Sequence, residues 1–194
     1  MAASASPNSA SDMKLIILDR DGVINEDSAD FIKTPDEWIP IPGSLEAISQ
    51  LNHSGYQVAV ISNQSGIARG LYDIHALNHI NDKMYHQLSQ TGGRIDCFLF
   101  CPHHPDDHCE CRKPKPGLFK ELKQRMHTSL KHVFAVGDAL RDLQAAQAAG
   151  AKPVLVRTGK GKQTEQSGEL DPSIPVYDSL TAFVDQLLKN ETEA

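Results

Sequence analysis

The chain has 194 residues, of which 40% are apolar and 23% charged, as is typical of one globular domain. Its net charge of −6 argues against a nucleic-acid-binding protein, because such proteins usually carry a basic face. No apolar run approaches the roughly 20 residues that cross a bilayer, so a membrane protein is not expected. Residues 1–12 resemble no secretory signal and are expected to form a disordered tail, followed by a single domain over 13–190 in the cytoplasm.

Apolar strand-like runs alternate with helical patterns along the whole chain. In chain order, we predict strands over 14–18, 57–61, 95–100, 131–136 and 153–156, and helices over 45–54, 73–90, 116–126, 140–149 and 179–188. Ser44 is the predicted N-cap of the first helix, and 157–175 reads as a long surface loop. This alternation predicts an α/β fold with a parallel sheet covered by helices on both faces, whose ligands bind beyond the carboxyl ends of the strands.

The sequence Leu-Ile-Ile-Leu-Asp-Arg-Asp-Gly-Val ends the first predicted strand with two acids, Asp19 and Asp21. An extended backbone would place both carboxylates on one side and turn Arg20 away. A magnesium ion would relieve the repulsion between the acids, one of which could attack phosphorus while the other protonates the leaving oxygen. The alternative is an ordinary strand followed by an Asp-rich turn.

Polar residues at three later positions fit the same chemistry. Ser62 ends the second strand and can hold a phosphate oxygen, and Arg112 and Lys113 supply positive charge. Asp138 ends the fourth strand and is a further candidate magnesium ligand. Asp142 is either a supporting acid near the metal or a helix N-terminal residue favoured by the helix dipole. Each of these patterns alone is more common as a turn or a solvated charge.

Cysteines are concentrated between positions 97 and 111. Three thiolates and one imidazole make a closed tetrahedral zinc site, so the metal would be structural. The spacing Cys-x-His favours His103 over His104 and His108, while Cys97 lies within an apolar strand. The predicted zinc ligands are Cys101, His103, Cys109 and Cys111. Unligated cysteines, or a thiol redox protein using Cys109 and Cys111, are the alternatives.

Together, these strand-end motifs resemble the haloacid dehalogenase superfamily of phosphohydrolases over most of the chain. The resemblance implies a Rossmann-like three-layer sandwich with a central parallel sheet, a zinc-bound loop and no large cap domain. It also implies that Asp19 is the nucleophile, Asp21 the general acid and base, and Ser62 and Lys113 the residues that stabilise the phosphoryl group. Magnesium would be held by Asp19, the backbone carbonyl of Asp21, and Asp138.

The run Asn-Gln-Ser-Gly-Ile-Ala-Arg-Gly at 63–70 and Cys-Arg-Lys-Pro at 111–114 resemble the D-glycero-D-manno-heptose 1,7-bisphosphate 7-phosphatase family. The resemblance implies an enzyme that removes the 7-phosphate of this sugar on the route to ADP-heptose for the lipopolysaccharide core. Separately, we expect a monomer. A histidinol-phosphate phosphatase and a non-catalytic zinc- and phosphate-binding module are the alternatives. The predicted substrate-binding residues are Asp27, Ser28, Ala29, Asp30, Ser62, Asn63, Gln64, Ser65, Arg112 and Lys113.

Overall fold

The computed structural model describes residues 13–193, and the tail predicted over 1–12 lies outside them. Six strands form one parallel sheet in the order β3-β2-β1-β4-β5-β6. The strands are β1 (Leu15–Leu18), β2 (Gln57–Asn63), β3 (Cys97–Cys101), β4 (Phe134–Gly137), β5 (Lys152–Val156) and β6 (Val176–Tyr177). The helices are α1 (Ser44–His53), α2 (Ile74–Gln90), α3 (Gly117–Arg125), α4 (Leu140–Ala148), α5 (Gly161–Gln166) and α6 (Leu180–Thr192).

Apolar side chains cover both faces of the sheet, because successive residues of a strand point to opposite sides. Ile16 and Leu18 of β1 pack into a cluster with α1, α2 and α6. Leu15 and Ile17 pack on the other face with α3 and α4. The prediction of a Rossmann-like sheet between two helical layers is therefore confirmed.

Several details of the sequence-based prediction are wrong, among them the end of the last helix, which lies at Thr192 rather than at residue 188. Residues 157–175 are not all loop, since they contain α5, and the short strand β6 follows them. The fourth strand begins at Phe134 rather than at residue 131. Ser44 does not cap α1 but is its first residue, after Gly43 with φ of 83°, and its Oγ donates a hydrogen bond to Ile24 O at 2.6 Å.

The order of the strands determines where the site lies. β1 pairs with β2 on one side and with β4 on the other, with Leu18 opposite both Val60 and Val136. The residues that follow these strands therefore meet at the carboxyl end of the sheet. This is the point where the strand order runs from β1 to β2 in one direction and to β4 in the other. Within residues 13–193, no helix is both long and apolar enough to span a bilayer.

Candidate active site

Asp19, Lys113 and Asp142 form a buried charged cluster just beyond the end of β1. The Lys113 ammonium lies 3.0 Å from Asp19 Oδ1 and 2.7 Å from Asp142 Oδ1, and it donates a hydrogen bond to Ile61 O at 2.8 Å. Asp142 also accepts a hydrogen bond from the N–H of Ala139 at 3.0 Å, so it caps α4 as well as pairing with the lysine. The Lys113 side chain is 2% exposed, so two buried carboxylates share one buried cation.

Asp138 adds a third carboxylate, and oxygens of Asp19, Asp138 and Asp142 all lie within 4.8 Å of one another. Burial, together with Asp142 and Asp19, raises the pKa of Asp138 to about 8. Burial, with Asp142 and Asp21 nearby, raises the pKa of Asp19 to about 6 despite Lys113. Asp138 Oδ1 is buried without a hydrogen-bond partner. This concentration of carboxylate oxygen and unbalanced negative charge fits a divalent cation.

The backbone around Asp138 is shaped to admit its carboxylate. Gly22 has φ of 85°, and a Cβ at this position would overlap the Asp138 side chain. The N–H of Lys160 donates to Asp138 Oδ2 at 2.8 Å. Glycine is therefore required at position 22 both by the backbone conformation and by the close approach of the acid.

Asp21 is held by its neighbours, and Arg20 does not turn away from it as an extended backbone predicts. The chain leaves the extended conformation directly after β1, and the N–H groups of Ile24 and Asn25 donate to Arg20 O. Arg20 donates to Asp21 through Nε at 3.0 Å and through Nη2 at 3.1 Å. Asn25 Nδ2 and Gln64 Nε2 donate to the same carboxylate, each at 2.9 Å.

A cleft of about 220 Å³ opens in front of Asp19 and Asp21. Its lining includes these predicted substrate-binding residues: Asp27, Ser28, Ala29, Ser62, Asn63, Gln64, Ser65 and Arg112. Two predicted substrate-binding residues, Asp30 and Lys113, are not among the lining residues. Asp30 is exposed, whereas the Lys113 side chain is buried against Asp19 and Asp142. The cleft lining also contains six residues that the sequence-based prediction did not place in the site: Phe31, Ile32, Arg69, Tyr72, Arg141 and Lys160.

Not all predicted substrate-binding side chains are free for a substrate. The amide of Asn63 exchanges hydrogen bonds with the backbone of Lys113, both at 3.1 Å, and so fixes the lysine segment to the end of β2. The amide of Gln64 donates to Asp21 and to Ser62 Oγ. Arg69 belongs to the 63–70 motif, so the sequence offered a signal for it. No motif surrounds Lys160, which reaches the cleft only through the fold.

The predicted zinc ligands converge in the loop between β3 and α3. The sulfur of Cys111 lies 3.3 Å from that of Cys101 and 3.5 Å from that of Cys109. His103 Nδ1 lies 3.2 Å from the Cys111 sulfur, whereas His104 Nδ1 accepts a hydrogen bond from the N–H of Asp106. The structure therefore favours His103 over His104 as the fourth member. Three thiols and one imidazole at these separations fit a tetrahedral zinc ion.

Comparisons with known proteins agree with this geometry. The HAD-hydrolase-like family matches residues 110–183. D-glycero-beta-D-manno-heptose-1,7-bisphosphate 7-phosphatase of Bordetella bronchiseptica is 52% identical over 91% of this chain and 99% of its own length. The enzyme of the same name from Pseudomonas putida is 47% identical over 91% of this chain and 100% of its own.

Solved structures give the same result. The D,D-heptose 1,7-bisphosphate phosphatase of B. bronchiseptica, complexed with magnesium and phosphate, superposes with a TM-score of 0.90 at 52% identity, covering 92% of this chain and 99% of that one. The phosphatase from Burkholderia thailandensis gives 0.72 at 44% identity, covering 90% and 98%. The chain belongs to the D-glycero-D-manno-heptose 1,7-bisphosphate 7-phosphatase family of haloacid dehalogenase-like phosphatases.

Proposed function

We propose that the protein removes the 7-phosphate of D-glycero-β-D-manno-heptose 1,7-bisphosphate, on the route to ADP-heptose for the lipopolysaccharide core. The observation that carries the proposal is the buried Asp19 carboxylate, paired with Lys113 and facing a cleft rich in cations. The names of the relatives at 52% and 47% identity support both the sugar and its β anomer.

In the first half of the reaction, a carboxylate oxygen of Asp19 attacks phosphorus and the bond from phosphorus to the sugar oxygen breaks. Asp21 gives its proton to that oxygen, so the sugar leaves as a neutral alcohol. Lys113 and Ser62 stabilise the charge that spreads over the phosphoryl oxygens. A magnesium ion held by Asp19, Asp138 and the carbonyl of Asp21 would neutralise the phosphate and orient it for attack.

In the second half, water hydrolyses the aspartyl phosphate. Asp21, now a carboxylate, takes a proton from the water as its oxygen bonds to phosphorus, and the bond to Asp19 breaks. Inorganic phosphate leaves, and both acids return to their starting protonation states. The same side chain thus serves as acid and then as base, which requires its carboxylate to stay in place between the two steps.

The cations that line the cleft support a substrate with two phosphates. Arg69, Arg112, Arg141 and Lys160 lie around the space in front of Asp19. The Lys160 ammonium pairs with the Asp27 carboxylate at 2.8 Å, which ties the predicted substrate-binding segment 27–30 to the cleft. One phosphate can lie at Asp19 while guanidinium groups hold the other, since arginine matches phosphate oxygens with paired hydrogen bonds.

We propose a structural zinc ion at the four residues of the cysteine loop. Cys111 is followed directly by Arg112 and Lys113, so a metal bound there would hold the segment that delivers both cations to the site. The cytoplasmic location and the monomeric state expected from the sequence stay predictions.

The test is phosphate release with magnesium from each anomer of D-glycero-D-manno-heptose 1,7-bisphosphate, alongside histidinol phosphate. We expect the β anomer to be hydrolysed with the highest kcat/KM and histidinol phosphate poorly. Preference for histidinol phosphate would replace the proposed substrate and leave the mechanism in place. Release from none of the three would refute the proposal.

A further inference from the structure

The Asp21 carboxylate is held in one orientation by three side chains. Arg20 donates to both of its oxygens, Asn25 donates to Oδ1, and Gln64 donates to Oδ2. The Arg20 guanidinium is fully buried, and its ion pair is with Asp21. Two of these neighbours lie within four residues of Asp21 in sequence, whereas Gln64 comes from the end of β2 and depends on its own supports.

Gln64 is itself oriented by Tyr72. Its Nε2 donates to Asp21 Oδ2 at 2.9 Å and to Ser62 Oγ at 2.8 Å, while its Oε1 accepts a hydrogen bond from the Tyr72 hydroxyl at 2.5 Å. An amide rotated by half a turn would present its oxygen to the Asp21 carboxylate, which is repulsive. The Tyr72 hydroxyl therefore selects the amide orientation in which the nitrogen faces Asp21.

Tyr72 is well placed for this contact. The residue is 9% exposed, and burial raises the pKa of its hydroxyl to about 12, so the hydroxyl keeps the proton that it donates. The N–H of Leu71 donates a hydrogen bond to Gly66 O, which closes a turn that brings Tyr72 back to the site. A Cβ on Gly66 would overlap the Tyr72 ring. Gly66, within the 63–70 motif, thus lets the tyrosine ring approach closely.

We propose that Tyr72 is a positioning residue for the general acid and base, and that it acts on Asp21 through the amide of Gln64. The inference deepens the proposed function, because it rests on the role of Asp21 in that reaction. A displaced carboxylate would protonate the leaving oxygen poorly, since proton transfer needs hydrogen-bond geometry. Alkyl phosphates need that proton, whereas p-nitrophenolate is stable without it.

The test compares Tyr72→Phe with the wild type by single-turnover release of the alcohol. With heptose bisphosphate we expect the rate to fall about tenfold, a fraction of what a general acid supplies. With p-nitrophenyl phosphate we expect less than about a twofold change, because this first step needs little acid catalysis. Tyr56→Phe is the matched control, since it removes a hydroxyl bonded to Glu191, away from the cleft, and should leave both rates unchanged.

A double-mutant cycle tests the route through Gln64. Tyr72→Phe should have no further effect on the alkyl phosphate rate in a Gln64→Met background, because the oriented amide is already lost. Equal losses with both substrates, a rise in KM without a fall in the rate, or full additivity of the two changes would each overturn the proposal. If the wild type hydrolyses no heptose bisphosphate, the proposed function fails, and any alkyl phosphomonoester that it does hydrolyse serves for the same comparison.

Discussion

Replacing Lys113 with methionine should damage both the chemistry and the fold. The Lys113 ammonium is the cation that contacts Asp19 and Asp142, at 3.0 and 2.7 Å. Methionine fills much of the same volume but carries no charge, so two carboxylates that are each 6% exposed would lose this partner. The larger part of the effect is then electrostatic, with a small contribution from packing.

The magnitude follows from the cost of breaking a buried ion pair. Removing one partner typically costs about 3–5 kcal/mol, because a buried charge is left uncompensated. In a chain of this size that corresponds to a fall in Tm of about 6–20 °C. Lys113 is proposed to stabilise the phosphoryl transition state, and loss of such a cation should lower kcat by about 10²–10³-fold.

The assay is thermal unfolding, with and without magnesium, together with steady-state kinetics. Lys115→Met is the control, since Lys115 lies two residues away in the same loop but its side chain is 42% exposed and pairs with an exposed glutamate. It should change Tm and kcat little, because exposed ion pairs contribute little. Near-normal kcat and Tm in a folded Lys113→Met protein would refute the assignment of Lys113 to the site.

Three other predictions test separate parts of the site. Asp19→Asn should lower turnover by about 10⁴-fold or more while circular dichroism stays unchanged, and near-normal turnover would exclude Asp19 as nucleophile. Cys109→Ser should lose the bound zinc measured by mass spectrometry and lower Tm, whereas Cys97→Ser, outside the cluster, should retain it. Because the pKa of Asp138 is raised to about 8 and that of Asp19 to about 6, the folded metal-free protein binds more protons than the unfolded chain. Its free energy of unfolding should therefore fall as pH rises from about 4 to about 8, and millimolar magnesium should reduce that fall in urea titrations; a flat profile without metal would contradict this.

The sequence predicted the features of the fold that depend on local pattern. The apolar run before Asp19 predicted a buried strand. It forms β1, whose four residues are all buried, and the acid follows where the strand ends. The cysteine loop was also predictable, since each of the four predicted zinc ligands lies two residues from another, and the short spacing constrains their positions. Sequence neighbours need few long-range contacts to meet.

The rest depends on tertiary contacts that no local pattern records. Lys160 reaches the cleft because its backbone N–H bonds to Asp138, 22 residues earlier. The prediction for Arg20 failed because the strand ends at Leu18, before the acid pair, so alternation no longer applies there. Tyr72 was missed for a similar reason: a turn that begins at Gly66 returns its hydroxyl to Gln64.

The site contains more buried carboxylates than cations, and a bound divalent cation would explain why. Asp19, Asp138 and Asp142 face Lys113 and Arg141, so the ionised cluster carries an excess of negative charge that would repel a phosphate dianion. A divalent cation reverses the sign of that excess and makes the same cluster attract the dianion. A neutral residue at position 142 would remove one negative charge and leave Lys113 to pair with Asp19 alone. The lysine would then stabilise the Asp19 carboxylate more strongly, and we expect Asp19, the proposed nucleophile, to become a poorer attacking group. Asp142 shares the lysine with Asp19 and also caps α4 by accepting a hydrogen bond from the N–H of Ala139, so we expect its loss to affect both the charge at Asp19 and the start of that helix.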